Sequence, residues 1–167
     1  MKKIRDAIKR DGLTNFKAAD LAESDLAGMS WAGDGLHIEI MRAQLKDTAH
    51  AETVAIYPPN SPPVSKGYVV HDTRIGESVI SQLATHPELQ SLGLGALLIA
   101  ALERRIRERG ISKAVLGVEK SNHRARKLYE RLGYRYFKTE ADSWEAMGFD
   151  GKAYTHQTEV DWLAKAL

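Results

Sequence analysis

Two glycines mark where this chain could do chemistry. They stand in Q-S-L-G-L-G-A, Gln90 to Ala96. Ahead of them, V-I-S-Q-L-A-T ending at Thr85 is a β-prone run of strand length, closed by the turn residues His86-Pro87-Glu88. Behind them, Leu94, Leu97, Leu98, Ala101, Leu102 and Ile106 recur at helical spacing, with Glu103, Arg104, Arg107 and Glu108 on the other face and Gly110 as a stop. Gly93 and Gly95 therefore fall where a strand hands over to a helix. Amides at a helix N-terminus are unpaired and carry the positive end of the dipole, and glycine lets an anion approach them closely. The stretch reads as a phosphate cradle. A P-loop would need Gly-Lys-Ser/Thr at its end, and Gly95 is followed by Ala96-Leu97. A dinucleotide fingerprint would need a third glycine where Leu98 stands.

A second constellation follows. Val115 to Val118 reads as a strand, and then comes N-H-R-A-R-K-L-Y-E-R-L-G-Y, Asn122 to Tyr134. Asn122 is a natural N-cap, Ala125, Leu128, Tyr129 and Leu132 form one helical face, and Gly133 ends the helix.

The remaining elements must hold these two motifs in place. Residues 1–11 read as a short basic helix with Ile4 and Ile8 on one side, an N-terminal extension to the single domain that 167 residues suit. Leu13 to Ala18 alternates like a strand, Asp20 to Met29 reads as the start of a short helix, and Leu36 to about Lys46 as a second helix. Thr53 to Tyr57 and Val64 to His71 are strands around the loop P-P-N-S-P-P, and Glu77 to Thr85 is the strand feeding the cradle. Past Tyr134 the expectation is a strand to about Thr139, an irregular stretch holding Trp144 and Phe149, and a last strand from about Lys152 to Trp162. Antiparallel strands followed by strand-helix-strand-helix imply an α/β (α+β) fold, a mixed sheet with helices on both faces.

Composition narrows the chemistry. Charged residues at 28% and hydrophobic ones at 43% are ordinary for a soluble globular chain, and a formal charge of +2 gives no case for nucleic acid. There is no cysteine, which removes disulfides and a thiolate nucleophile, and six histidines without an H-x-x-x-H pair argue against a metal site. The basic N-terminus lacks the apolar core of a signal peptide, and the longest apolar run, Ala96 to Leu102, is too short for a membrane span. The expectation is a cytoplasmic protein, monomer or homodimer, with no membrane partner.

The Q-x-x-G-x-G of Gln90 to Gly95, followed by the N-x-x-A-x-x-L-Y-x-x-x-G-Y of Asn122 to Tyr134, resembles the GNAT superfamily of N-acetyltransferases; the two motifs cover about a third of the chain. The resemblance implies a mostly antiparallel sheet and acetyl-CoA as co-substrate, with no metal. It implies a cofactor site at Gln90, Ser91, Leu92, Gly93, Leu94, Gly95 and Ala96, and at Leu83, Ala84 and Thr85, whose free backbone groups would pair with the pantetheine arm. Tyr129 stands where the family commonly carries the acid that protonates the departing CoA sulfur; a phenol, of ordinary pKa ~10, is neutral at physiological pH. Its structural alternative is a packed aromatic. Asn122 would cap its helix and hydrogen-bond the CoA arm, and Arg124, Arg126 or Lys127 could meet the 3′-phosphate.

The acceptor ammonium must also lose a proton. Glu77 is the first candidate base, with His71, Asp72 and Glu119 behind it. At ~3.3 Å per residue Glu77 lies roughly 20 Å from Leu83, so it would need a water relay or a strand bend. Several protein N-terminal acetyltransferases of the family read L-E-V where this chain reads Leu116-Gly117-Val118, which counts against that class of acceptor. The reading is direct transfer of an acetyl group to a primary amine of a small molecule. The alternatives are a protein N-terminal or lysine acetyltransferase and a non-catalytic acyl-CoA-binding module.

Overall fold

The computed structural model describes residues 1–148 and 150–167. Among them, β1 Lys17–Asp20, β2 Ala51–Tyr57, β3 Ser65–Asp72, β4 Glu77–Thr85, β5 Lys113–Glu119, β6 Arg135–Met147 and β7 Ala153–Ala166 form a seven-stranded sheet of order β1-β2-β3-β4-β5-β7-β6. Neighbours run antiparallel except β4 and β5. The parallel pair needs a crossover, which the long helix between them supplies. The four α-helices are α1 Lys2–Asp11, α2 Gly35–Gln44, α3 Leu94–Glu108 and α4 His123–Arg131.

Helices cover both faces because the strands bury both. On one face Leu98, Leu102 and Ile106 of α3 and Tyr129 of α4 pack with Ile56, Val69, Ile80 and Leu116, and α1 adds Ile8 with Ile4 against it. On the other, Leu26, Met29 and Met41 gather around Ala55. At about 25 cal/mol per Å², removing this apolar surface from water is the main stabilising term. Among the described residues, no helix is long and apolar enough to cross a membrane.

The sheet is broken where the cradle begins. Lys66 pairs with Ala84 but Tyr68 with Ser81, so β4 carries an extra residue there, and Gln82 takes φ 51° to accommodate it. The β4–β5 ladder meanwhile ends at Ile80↔Leu116. Past that point the two strands part, and the β4 edge facing β5 keeps its backbone groups outside the ladder.

Several expected boundaries move. The first strand is Lys17–Asp20 rather than Leu13 to Ala18, because Lys17 is the first residue to find a partner, Tyr57 on β2. The segment from Asp20 to Met29 holds a short helix of 3₁₀ type at Glu23–Gly28. The larger correction is at the C-terminal end. β6 runs to Met147 and carries Trp144, which pairs with His156 on β7, where an irregular stretch was expected. Cross-strand pairing there overrides a weak local signal. Phe149 lies outside the described residues.

Candidate active site

A cleft of about 820 Å³ opens between the end of β4, the turn into α3 and one flank of α4. Leu83, Ala84, Thr85, Gln90, Ser91, Gly93, Leu94, Gly95, Ala96, Asn122 and Tyr129 all line it. Residues far apart in the sequence thus meet around one space. Leu92 does not line it and packs on the core instead.

The floor is the glycine turn. Gly93 caps α3 with φ 89° and ψ −8°, a left-handed conformation that a β-branched residue adopts only under strain. The first helical hydrogen bond runs from Leu97 N to Gly93 O, 3.1 Å, so the amides of Leu94, Gly95 and Ala96 start the helix without intrahelical acceptors. A Cβ on Gly95 would lie 3.1 Å from Leu128 Cδ2, so its absence lets α4 come close. Backbone amides, a helix dipole and room at the glycines fit a pyrophosphate.

The far wall is basic. On α4, Arg124, Lys127 and Arg131 line the cleft at helical spacing, with His123 at the first turn. Arg124 also spans the gap, its Nη2 donating to Ser91 Oγ at 2.8 Å. Arg126 points elsewhere, bonding Asp161 and, at 3.0 Å, Glu130 Oε1, so it has no part in the cleft. The 3.6-residue period separates Arg126 from the other three. His123 and Arg131 are cleft residues that the sequence reading passed over, and that same period would have found Arg131.

Asn122 accepts a hydrogen bond from Ala125 N through Oδ1, 3.1 Å, and so caps α4. Tyr129 is buried to 7% exposure, packs edge-on to Tyr134 with ring centroids 6.4 Å apart, and lines the cleft. Burial pushes its phenol up to about 12, which keeps the proton on oxygen at neutral pH.

The structure gives Glu77 no place here. It sits at the opposite end of β4, its Oε2 2.6 Å from Lys113 Nζ. β4 runs on through the Gln82 bulge, so Glu77 stays at the far end of the strand from Leu83 to Thr85. His71 is buried, with Nδ1 2.8 Å from Ser78 Oγ and Nε2 3.3 Å from Glu52, and Asp72 binds Arg74. Neither lines the cleft. Glu119 ends β5 where the strands part, and its Oε2 lies 3.3 Å from both His156 Nε2 and Thr158 Oγ1.

A buried lysine with two half-buried polar partners also stands behind the β4 bulge. Lys66 Nζ lies 2.8 Å from His37 Nε2 and 3.4 Å from Gln82 Oε1. Burial lowers the lysine to about 7, and burial together with the Lys66 charge lowers His37 to about 4.

Comparison with known proteins agrees with this geometry. Over 71 residues the chain is 39% identical to a mycothiol acetyltransferase of Stackebrandtia nassauensis, an alignment covering 42% of this chain and 22% of that protein. Over 67 residues it is 34% identical to a [ribosomal protein bS18]-alanine N-acetyltransferase of Haemophilus ducreyi, covering 40% of this chain and 46% of that one. The chain thus aligns with less than half the length of either relative. In fold it is similar to the ribosomal-protein-S18-alanine N-acetyltransferase of Escherichia coli, with a TM-score of 0.71 over 90% of this chain and 93% of that one at 17% identity. The model of the acetyltransferase (GNAT) family matches residues 45–134, which hold the glycine turn, the parted strands and all of α4, and the chain belongs to that family.

Proposed function

We propose that this chain is an acetyl-CoA-dependent N-acetyltransferase that moves the acetyl group directly to a primary amine of a small molecule. The observation that carries this reading is the cleft itself: glycine turn, basic α4 flank, unladdered β4 edge and a protonated phenol line one space. The pyrophosphate would sit on the amides of Leu94 to Ala96. The pantetheine arm would pair with the free edge of Leu83 to Thr85, whose N–H groups can polarise the thioester carbonyl. The amine attacks that carbonyl carbon, the C–S bond breaks, and Tyr129 gives its proton to the leaving sulfur. No cysteine exists to carry an acyl intermediate, which favours transfer within a ternary complex.

The small acceptor is supported at Gly117. Residues 116–118 lack the glutamate of the family's protein N-terminal acetyltransferases, and a Cβ at Gly117 would meet Val160 Cγ1 at 2.8 Å. A side chain there requires the Val160 side chain to shift. The relatives' names include a mycothiol enzyme as well as ribosomal-protein enzymes, so the second reading is a protein N-terminus. A panel of polyamines, amino sugars and arylalkylamines, run against peptides with free N-termini and scored by mass of the acetylated product, separates the two. Acetylated small amines with unmodified peptides are expected; the reverse pattern overturns the small-acceptor reading.

A further inference from the structure

The cleft supplies a proton for the leaving group, and the one imidazole among its lining residues, His123, belongs to the basic α4 flank. The sheet face across the parted strands offers a base for the incoming amine. On β5, Gly117 and Glu119 share a face, and the Gly117 position is closed by Val160 and Trp162 of β7. Glu119 therefore projects on the side away from α3, whose own core packs on Leu116 and Val118. Its backbone carbonyl accepts from Asn122 N at 2.8 Å, and Asn122 lines the cofactor cleft. The Glu119 backbone is thus tied to the lip of the cleft, while its carboxylate and His156 stand outside the cleft lining, across the gap that opens beyond Ile80↔Leu116.

His156 meets it there. Nε2 lies 3.3 Å from Glu119 Oε2, and the ring packs on Trp144 with centroids 4.6 Å apart. The Glu119 and His156 side chains are 38% and 34% exposed, open enough for a ligand to reach. Other polar groups share the ring's face of the hairpin, among them Glu140 of β6, which pairs opposite Val160. Thr158 of β7 donates to Glu119, Asp142 of β6 pairs opposite Thr158, and Tyr154 precedes His156 on the same face. From α2, Asp34 accepts from Met147 N at 2.9 Å, which ties the hairpin across that helix.

We propose that His156, held by Glu119, takes the proton from the acceptor ammonium, and that Trp144 forms the wall against which a cationic amine binds. This rests on the small-amine reading given above. With Nε2–H donating to Glu119, Nδ1 carries the lone pair. The ammonium N–H proton passes to Nδ1, the freed amine lone pair forms the N–C bond, the C–S electron pair leaves with sulfur to take the Tyr129 proton, and the second N–H proton, shed as the amide forms, returns through water to the Tyr129 oxygen. Glu119 stabilises the imidazolium that results and is a positioning residue. An aromatic face beside a carboxylate suits an alkylammonium through cation–π attraction and ion pairing.

Two measurements test this. In the full chain with acetyl-CoA bound, ¹⁵N NMR of His156 reports the tautomer: Nε2–H is expected, and a proton resting on Nδ1 overturns the base assignment whatever the acceptor proves to be. Turnover of acetyl-CoA with phenethylamine and spermidine is then followed from pH 6 to 10. His156→Gln should lose at least tenfold in kcat/KM at pH 7 and recover as the free amine form accumulates, with acetyl-CoA affinity unchanged. Glu119→Gln should shift the acidic limb by a smaller amount in the same direction. An acidic limb in His156→Gln superimposable on that of the unmodified protein overturns the proposal. Failure of the small-amine reading shows separately, as no turnover of any amine alongside an Nε2–H tautomer.

Discussion

Arg124 on α4 reaches across the cleft to Gln90 on the opposite turn, Nη1 to Oε1 at 2.8 Å. Together with its bond to Ser91 it ties the two walls over the space where polyphosphate would lie. A guanidinium so placed can exchange neutral partners for charged phosphate oxygens, and charge-assisted bonds are roughly twice as strong. Arg124→Met should weaken acetyl-CoA binding by about threefold to tenfold, or ~0.7 to 1.4 kcal/mol. It should also flatten the dependence of affinity on salt. Calorimetric titrations at low and high salt check both, and an unchanged salt slope would make Arg124 a clasp alone.

Tyr129→Phe keeps the ring that packs on Tyr134 and removes the proton. Turnover should fall by roughly 10²-fold while acetyl-CoA affinity and fold survive. Turnover equal to the unmodified protein on any working acceptor would make Tyr129 a packing residue and leave water as the proton source.

Lys66 gives stability a pH dependence of defined sign. Its folded value near 7 lies below the ~10.4 of an unfolded lysine, so between these the unfolded chain binds the extra proton. Stability should therefore rise with pH through this window, by at most about 1.4 kcal/mol per unit from this one group. His37, lowered to about 4, acts with the same sign between there and the ordinary histidine value. Urea unfolding of the unmodified protein and Lys66→Met at pH 7 and pH 9 should show a rise for the former that the latter lacks. Parallel pH dependences would mean that Lys66 keeps its charge in the fold.

The cradle and α4 were legible because their signals are local. A helix declares itself by period and caps, and Gly93 needs its φ whatever packs around it. Glu119 is among the candidate bases that the sequence offers, but its pairing with His156 was not legible, because that pair exists only through β5–β7 pairing between segments far apart in sequence. Glu77 drew notice as the acid on the right strand, at the wrong end of it. The Gln82 bulge carries no glycine to announce it. Trp144 sits among charged residues on an exposed, polar β6, where alternation is too weak to read as a strand.

The most direct measurement of acetyl-CoA binding in the cleft is a calorimetric titration of the unmodified protein and of Gly93→Val. At this position φ is 89° and a Cβ would lie 3.3 Å from Leu13 Cδ1, so valine strains the turn and projects a side chain beside the amides that would hold pyrophosphate. Acetyl-CoA should bind the unmodified protein at one site per chain and the folded variant at least tenfold more weakly, about 1.4 kcal/mol or more. Equal affinity in the folded variant would contradict the placement of acetyl-CoA on this turn.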